Sequence, residues 1–252
     1  MLLNGKTAVI YGGGGSIGGA VARAFAREGA RVFLAGRSPE NLEAVARDIR
    51  AAGGLAETAL LDATNEQAVN EHADDVAAAA GSLDISLNVI QHGDIQGSPM
   101  VDMEVEDYLR PVSTAVQSFF LTSRAAARQM MRQGSGVILV FGGSGDPSPG
   151  NYYGGLITAF EAMEAMRRQL AVELGRHGIR VVTLRSGGIP ESLPAGMDGR
   201  EDIANSIVDA TLPKRAATLE DVGNAAAFAA SDKAATMTAA TLNISAGSLM
   251  DR

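Results

Sequence analysis

Between Val9 and Ala20 an apolar run, Val9-Ile10-Tyr11, breaks into Gly12-Gly13-Gly14-Gly15-Ser16-Ile17-Gly18-Gly19 and resumes as Val21, Ala22 and Phe25. Residues without a Cβ permit a positive-φ turn and bring backbone N–H groups close to an anion, and a helix start offers unpaired N–H groups to it. The chemistry is phosphate binding. Gly13, Gly15 and Gly18 fit the spacing G-x-G-x-x-G. Placed after a first strand and before a helix, that spacing cradles the pyrophosphate of a dinucleotide. Gly12, Gly14, Gly15, Ser16, Ile17 and Gly18 are the expected contacts.

The second apolar run ends in Gly36-Arg37-Ser38-Pro39. An acidic residue there would accept the 2′-hydroxyl of the adenosine ribose, whereas a small residue followed by arginine suits a 2′-phosphate. Arg37 therefore points to NADP(H) as the cofactor. Asp62, followed by Ala63, closes the third run. It either receives a hydrogen bond from the adenine amino group or caps the helix that begins after Thr64.

The elements that must position these residues follow from hydrophobic patterning. Strand-like runs fall at 7–11, 31–35, 56–61, 83–90, 137–141, 180–185 and 240–245, with helical patterns near 17–28, 39–52, 65–80, 105–133, 154–177 and 218–230. Strands alternating with helices imply a parallel sheet covered on both faces, hence an α/β, doubly wound Rossmann-type domain of about seven strands. The stretch 189–213 carries three prolines, two glycines and no strand pattern, with a short helix expected at 202–210. Such an insertion reads as a lid or substrate loop.

With 252 residues, 46% of them hydrophobic, one domain spanning 1–252 is expected. Twenty-one basic against 29 acidic residues, with no basic run, argue against a nucleic-acid partner. The chain has no cysteine, and His72, His92 and His177 stand too far apart for a local metal motif, so no metal is expected. No segment has the length and apolarity of a membrane span or of an export signal, which makes a cytoplasmic location the expectation.

Beyond these features the chain resembles the short-chain dehydrogenase/reductase family from Gly5 to about Gly247. The likeness rests on the glycine turn, Leu61-Asp62-Ala63-Thr64, Leu83-Asp84-Ile85, Thr122-Ser123-Arg124-Ala125-Ala126, the segment from Leu170 to Val181, and Glu220-Asp221-Val222-Gly223 followed by Ala230-Ser231-Asp232. The resemblance implies an NAD(P)-binding Rossmann fold, hydride transfer to or from a carbonyl or related group, and a homotetramer built on the two long helices and the last strand. The apolar residues Phe119, Phe120, Met130, Met131, Met163, Met166 and Leu170 are the expected subunit faces of those helices.

The departures from that family are as informative. Its phosphate turn has a threonine where Tyr11 stands and a middle glycine where Ser16 stands, while Gly12 and Gly18 match. Of its Asn-Asn-Ala-Gly segment Asn88 remains, an expected cofactor contact, followed by Val89-Ile90-Gln91-His92-Gly93-Asp94. After the sixth strand, backbone groups of Gly187 and Ile189 are the expected partners of the nicotinamide carboxamide. The family's catalytic set is asparagine, serine, tyrosine and lysine, the tyrosine acting as general acid and the lysine lowering its pKa and holding the ribose. Placement without gaps puts Ala115, Gly143, Leu156 and Phe160 at those four positions. The only lysines are Lys6, Lys214 and Lys233, so no Tyr-x-x-x-Lys pair can form. Ser144, Tyr152, Tyr153 and His92 are the candidate substitutes. Three readings follow. The leading one is an NADP(H)-dependent oxidoreductase acting on a small hydrophobic or pre-activated carbonyl, imine or enone. The alternatives are a non-redox cyclase, isomerase or lyase, and a catalytically silent nucleotide-binding subunit.

Overall fold

In the computed structural model, residues 1–143 and 151–250 are described. One parallel sheet has the order β3-β2-β1-β4-β5-β6-β7. Its strands are β1 (Thr7–Tyr11), β2 (Arg31–Gly36), β3 (Leu55–Leu60), β4 (Ile85–Asn88), β5 (Gly136–Gly142), β6 (Ile179–Arg185) and β7 (Ala240–Asn243). The helices are α1 (Ser16–Arg27), α2 (Pro39–Ala51), α3 (Glu66–Ala80), α4 (Val105–Gln133), α5 (Leu156–Leu174), α6 (Arg200–Ala210) and α7 (Leu219–Ala230).

β1 is buried along its whole length and sits between β2 and β4, in the registers Thr7↔Arg31 and Ala8↔Ile85. Successive strand side chains point to opposite faces. Ala8 and Ile10 accordingly join the core beneath α1, α2 and α7, with Phe25, Leu42 and Val222. Val9 and Tyr11 join the core beneath α3, α4 and α5, with Phe119, Met130 and Met163. The strand order reverses between β1 and β4, and in open α/β sheets a crevice forms outside the carboxyl ends of the strands at that point.

The fourth strand is shorter than the apolar run 83–90. Leu83 donates its N–H to the Gln133 side chain at 2.9 Å rather than to a neighbouring strand, and past Asn88 the chain crosses over Gly12. α5 begins at Leu156, two residues later than its pattern suggests. Gly154 has φ +54° and Gly155 packs against the Tyr108 carbonyl and Pro111, so Tyr152 and Tyr153 lie on the connection before the helix rather than on its first turn. The expected subunit faces are also revised. Phe119, Met130 and Met163 are buried in the chain's own core and Met166 and Leu170 pack against it, which leaves Phe120 and Met131 exposed. The 189–213 stretch is anchored by the buried Ile189, makes a short 3₁₀ turn at Pro190–Ser192, and contains α6.

Candidate functional site

A cavity of about 350 Å³ lies at the switch point, lined from the glycine turn through Arg37, Ser38 and Asn41 to Asp62 and Thr64, and closed by Val89, Ile90, Gln91 and Thr114. Its shape is set by backbone. Gly12 has φ +90° and donates its N–H to Ala35 O at 2.8 Å, and a Cβ on it would stand 2.6 Å from Val89 O. A Cβ on Gly18 would overlap Gly12 O, and one on Gly13 would press on the Leu34 side chain. Gly15 is different: an added Cβ meets nothing nearer than Gly12 O at 3.4 Å. The sterically required positions are thus Gly12, Gly13 and Gly18, while Gly15 serves as the extended N-cap of α1 and Ser16 is exposed. That cap has no side-chain hydrogen bond, and the first turn, Ser16-Ile17-Gly18, contains no acidic residue. The first turn thus adjoins the cavity through Gly15, with the positive end of the helix dipole there, an arrangement suited to an anion.

On the second wall Arg37 is exposed at the end of β2, with Ser38 and Asn41 beside it at the cavity rim. Asp62 Oδ1 accepts from the Thr64 N–H at 2.9 Å and the Thr64 hydroxyl at 2.7 Å. Those bonds, together with the charge of Arg37, hold its carboxyl below the usual carboxylate range. Asp62 does not cap α3. Asn65 does, accepting from the Ala68 N–H at 3.0 Å. Ala63 is buried at the cavity wall. Beneath the cavity Tyr11 is fully buried edge-on to His72, and burial raises its phenol pKa strongly. Asn88 is buried and donates to the Thr122 hydroxyl at 3.1 Å, which fixes α4 to the end of β4.

The far end of the crevice is built from side chains. His92 is 8% exposed and lies edge-on to Phe160, with ring centroids 6.2 Å apart. Burial lowers its pKa, partly opposed by Asp94. A Cβ on Gly143 would stand 2.6 Å from Cε2 of the Phe160 ring, so the ring occupies the space a side chain at 143 would need. Ala115 is fully buried on α4, and Leu156 opens α5 half-buried. Tyr152 is 49% exposed and its carbonyl accepts from the Gly97 N–H at 2.8 Å; Tyr153 is half-buried. Gly187 packs against Ser248, and the Ile189 carbonyl accepts from the Ser192 N–H and hydroxyl. Ser144 lies outside the described residues. No cluster of metal-ligating side chains occurs among the described residues, and no described helix is long and apolar enough to cross a membrane.

The structure therefore brings Gly12, Gly14, Gly15, Arg37, Asp62 and Ala63 around one cavity, with Ser16, Ile17 and Gly18 in the adjoining first turn of α1. Sequence reasoning missed Ser38, Asn41, Thr64, Gln91 and Thr114 in its wall. Asn41 was findable, since it follows Arg37 by four residues just inside α2; Thr114 was not, because its place depends on how α4 crosses the sheet.

The family described as enoyl-(acyl carrier protein) reductase matches residues 13–248. The chain belongs to the short-chain dehydrogenase/reductase family. Secoisolariciresinol dehydrogenase of Forsythia intermedia is 33% identical to it, over 97% of this chain and 89% of that protein. Among solved structures, a short-chain type dehydrogenase/reductase from Mycobacterium ulcerans superposes with a TM-score of 0.91 at 26% identity, covering 98% of this chain and 91% of the other. A 7α-hydroxysteroid dehydrogenase complexed with NADH and 7-oxo glycochenodeoxycholic acid superposes with a TM-score of 0.86 at 29% identity, covering 97% and 94%. Within the family's fold, the glycine turn after β1 and the Arg37 rim are steric and polar features, whereas the Gly143 and Phe160 contact is an apolar one.

Proposed function

We propose that this chain is an NADP(H)-dependent oxidoreductase of the short-chain dehydrogenase/reductase type that works without the family's tyrosine and lysine. The observation that carries the proposal is the rim of the cavity: Gly36 and Arg37 stand at the end of β2 in place of a carboxylate, with Ser38 and Asn41 beside them. A guanidinium pairs with a phosphate by charge-assisted, bidentate hydrogen bonds, and these suit a 2′-phosphate rather than a 2′-hydroxyl. Bound there, the dinucleotide supplies a hydride from its nicotinamide. The first turn of α1 binds the pyrophosphate through Ser16, Ile17 and Gly18, and Asp62 lies beside the adenine. Gly187 and Ile189 offer backbone groups to the carboxamide at the other end.

At that other end Leu156 and Phe160 make an apolar wall, and Ala115 and Gly143 complete the vacated catalytic positions. Burial disfavours the imidazolium form of His92, with Asp94 opposing, which weakens its case as the proton donor. Tyr152 and Tyr153 have no lysine four residues on, and with Ser144 they are the remaining donors. A site so built suits a small hydrophobic or pre-activated acceptor, an imine, conjugated enone or reactive carbonyl, because such an acceptor needs little proton assistance. Phe120 and Met131, exposed on α4, support assembly as a homo-oligomer, the tetramer being the family's usual form.

Loss of NADPH absorbance in the presence of imines, enones, quinones and simple ketones tests the proposal. A positioned general acid contributes about 10²–10⁴-fold, so pre-activated acceptors are expected to outpace simple ketones by at least about 10². Equal rates across the panel would remove the substrate class. The absence of turnover with every acceptor, with NADPH binding intact, would favour the silent nucleotide-binding subunit, a reading that the packing of Phe160 against Gly143 also suits.

A further inference from the structure

We propose that the far end of this crevice selects a cation: a hydrophobic iminium ion as hydride acceptor, and the corresponding ammonium ion as its product. The proposal rests on the NADP(H) oxidoreductase reading and narrows its acceptor class to the positively charged member.

The distribution of charge is the first observation. Two segments leave the carboxyl end of the sheet beside the far end of the crevice: 91–110, which follows β4 and runs into α4, and 189–213, which follows β6 and contains α6. The first is tied to the connection before α5 by the Gly97 N–H, which donates to the Tyr152 carbonyl at 2.8 Å; in the second, Ile207 packs against Gly188. Asp94, Asp102, Glu104, Glu106 and Asp107 stand on the first segment against Arg110 alone. Glu191, Asp198, Glu201, Asp202 and Asp209 stand on the second against Arg200 alone. These are ten of the chain's 29 acidic residues and two of its 21 basic ones, so the two segments hold a net charge of −8 and the rest of the chain, with 19 of each sign, holds none. Lys214 and Arg215, which come next, bond to the Asp209 carbonyl and to Asp221. Of the ten acids only Asp107 is in an ion pair among the described residues, with Arg110. Helix dipoles favour the four in the first turns of α4 and α6, but Asp209 stands near the last turn of α6, where the dipole opposes it.

His92 is the second observation, and it is independent of the acids. It is 8% exposed, and its ring makes no hydrogen bond among the described residues; its contact is the edge of Phe160. Its nitrogens, unlike Nδ1 of His72, are not enclosed. A buried polar side chain without a partner is a place for a ligand's hydrogen bond. Because burial disfavours the imidazolium, the ring is suited to accept from an N–H⁺ group. Around it the surface is apolar: Phe160 and Leu156 on α5, and the exposed Met100, Val101, Val105 and Leu109 on the first segment. An apolar wall inside an acidic rim suits a hydrophobic cation.

The developing charge separates the acceptor classes. Reduction of a ketone puts negative charge on oxygen, which an acidic rim opposes. An iminium ion is already activated: its carbon takes a hydride from NADPH, which is left as NADP⁺, and the C=N π pair becomes the lone pair of the nitrogen, with no proton consumed. The rim acts on capture, since steering by a field of one sign raises association by about 10–10³-fold and is screened over a Debye length of about 8 Å at physiological salt.

Calorimetric titration of the full chain with tetrahydroisoquinolinium, an ammonium ion that accepts no hydride, and with isochroman, its uncharged oxygen isostere, tests the proposal. The ammonium ion is expected to bind at least about tenfold more tightly, an advantage that shrinks as salt is raised. Asp102→Lys combined with Asp198→Lys, both exposed positions, should weaken the ammonium ion by about threefold or more and leave isochroman within about twofold. His92→Leu should weaken the ammonium ion by about tenfold, the effect of one hydrogen bond to a charged group. Isochroman binding as tightly as the ammonium ion, or ammonium affinity unmoved in both variants, overturns the proposal and leaves the NADP(H) reading standing. NADPH consumption with enones and quinones but not with dihydroisoquinolinium does the same. Failure of NADPH to bind, with the ammonium ion still held selectively, removes the oxidoreductase reading and supports the cation site.

Discussion

The two ends of the crevice are built by different means. At the glycine-turn end the backbone decides the shape: Gly12, Gly13 and Gly18 each lie where a Cβ would collide with main chain or a core side chain. At the far end side chains decide it, and Phe160 fills the room that Gly143 leaves. Backbone constraints tolerate no substitution and leave a motif in the sequence. Side-chain constraints can be exchanged in pairs, so they leave no motif.

The largest effect is expected from the backbone end. Gly18→Ala places a methyl group into Gly12 O, so the turn must shift. Nucleotide affinity should fall by about 100-fold, ~2.8 kcal/mol, in protein shown to be folded by circular dichroism. Gly15→Ala, with an open contact at 3.4 Å, should change affinity by less than about threefold, well short of the tenfold that ~1.4 kcal/mol represents. Equal losses in the two variants would erase the distinction between required and permissive glycines.

At the far end, Gly143→Ser alone is expected to destabilise the chain by about 1–3 kcal/mol, the range for overpacking a filled site. Combined with Phe160→Ala, which vacates the ring's volume, the serine should cost less than it does alone. A double-mutant cycle on urea unfolding should therefore give a coupling of about 0.5–3 kcal/mol. Strict additivity would show that the two positions do not compensate each other.

Tyr152→Phe and Tyr153→Phe should each lower turnover by less than about tenfold, ~1.4 kcal/mol, once a substrate is in hand. A thousandfold loss in either would place the general acid on the loop before α5 and end the account of an acid-free site.

The buried histidines and Asp62 respond to pH in different windows. His92 and His72 have folded-state pKa values below the usual 6.5 because burial disfavours the imidazolium, so the unfolded chain binds protons more readily. Their stabilising effect is complete above about 6.5 and declines as pH falls through that value toward the folded pKa. Asp62 has the opposite charge and a lower window: its lowered pKa supports stability above the ordinary 3.8, and that support is lost only as pH falls below it. The urea midpoint should therefore drop between about pH 7 and pH 5.5, and less so in His92→Leu. An unchanged slope in that variant would mean that His92 is not sealed against protonation.

Much of the frame was legible in the chain itself. The alternation of apolar runs and amphipathic stretches placed every strand and helix within a few residues, most firmly for inner strands such as β1 and β4, which are buried throughout, and least for the largely exposed edge strand β3. The glycine turn was legible because close backbone approach demands residues without a Cβ, and the place of Arg37 at the cavity rim followed from its position after the second strand. The role of Asp62 was not: an aspartate before Thr-Asn serves either as a helix cap or as the acceptor of a turn, and only the fold shows Asn65 taking the cap. Nor was the dependence of Gly143 on Phe160, since two residues on different elements meet only once β5 and α5 are packed. The apolar faces of α4 and α5 misled for a related reason, because Phe119, Met130 and Met163 spend their apolar surface on the sheet.

The central claim is that Arg37 makes this crevice a site for NADP(H), and titration of the chain and of Arg37→Ala with NADPH and NADH measures it most directly. A charge-assisted arginine–phosphate contact amounts to about 1.5–3 kcal/mol, so NADPH should bind about 10- to 150-fold more tightly than NADH. Arg37→Ala should bring NADPH down to the level of NADH while leaving NADH nearly unmoved. Equal affinity for the two nucleotides in the unmodified chain, or undiminished NADPH binding by Arg37→Ala, would contradict it.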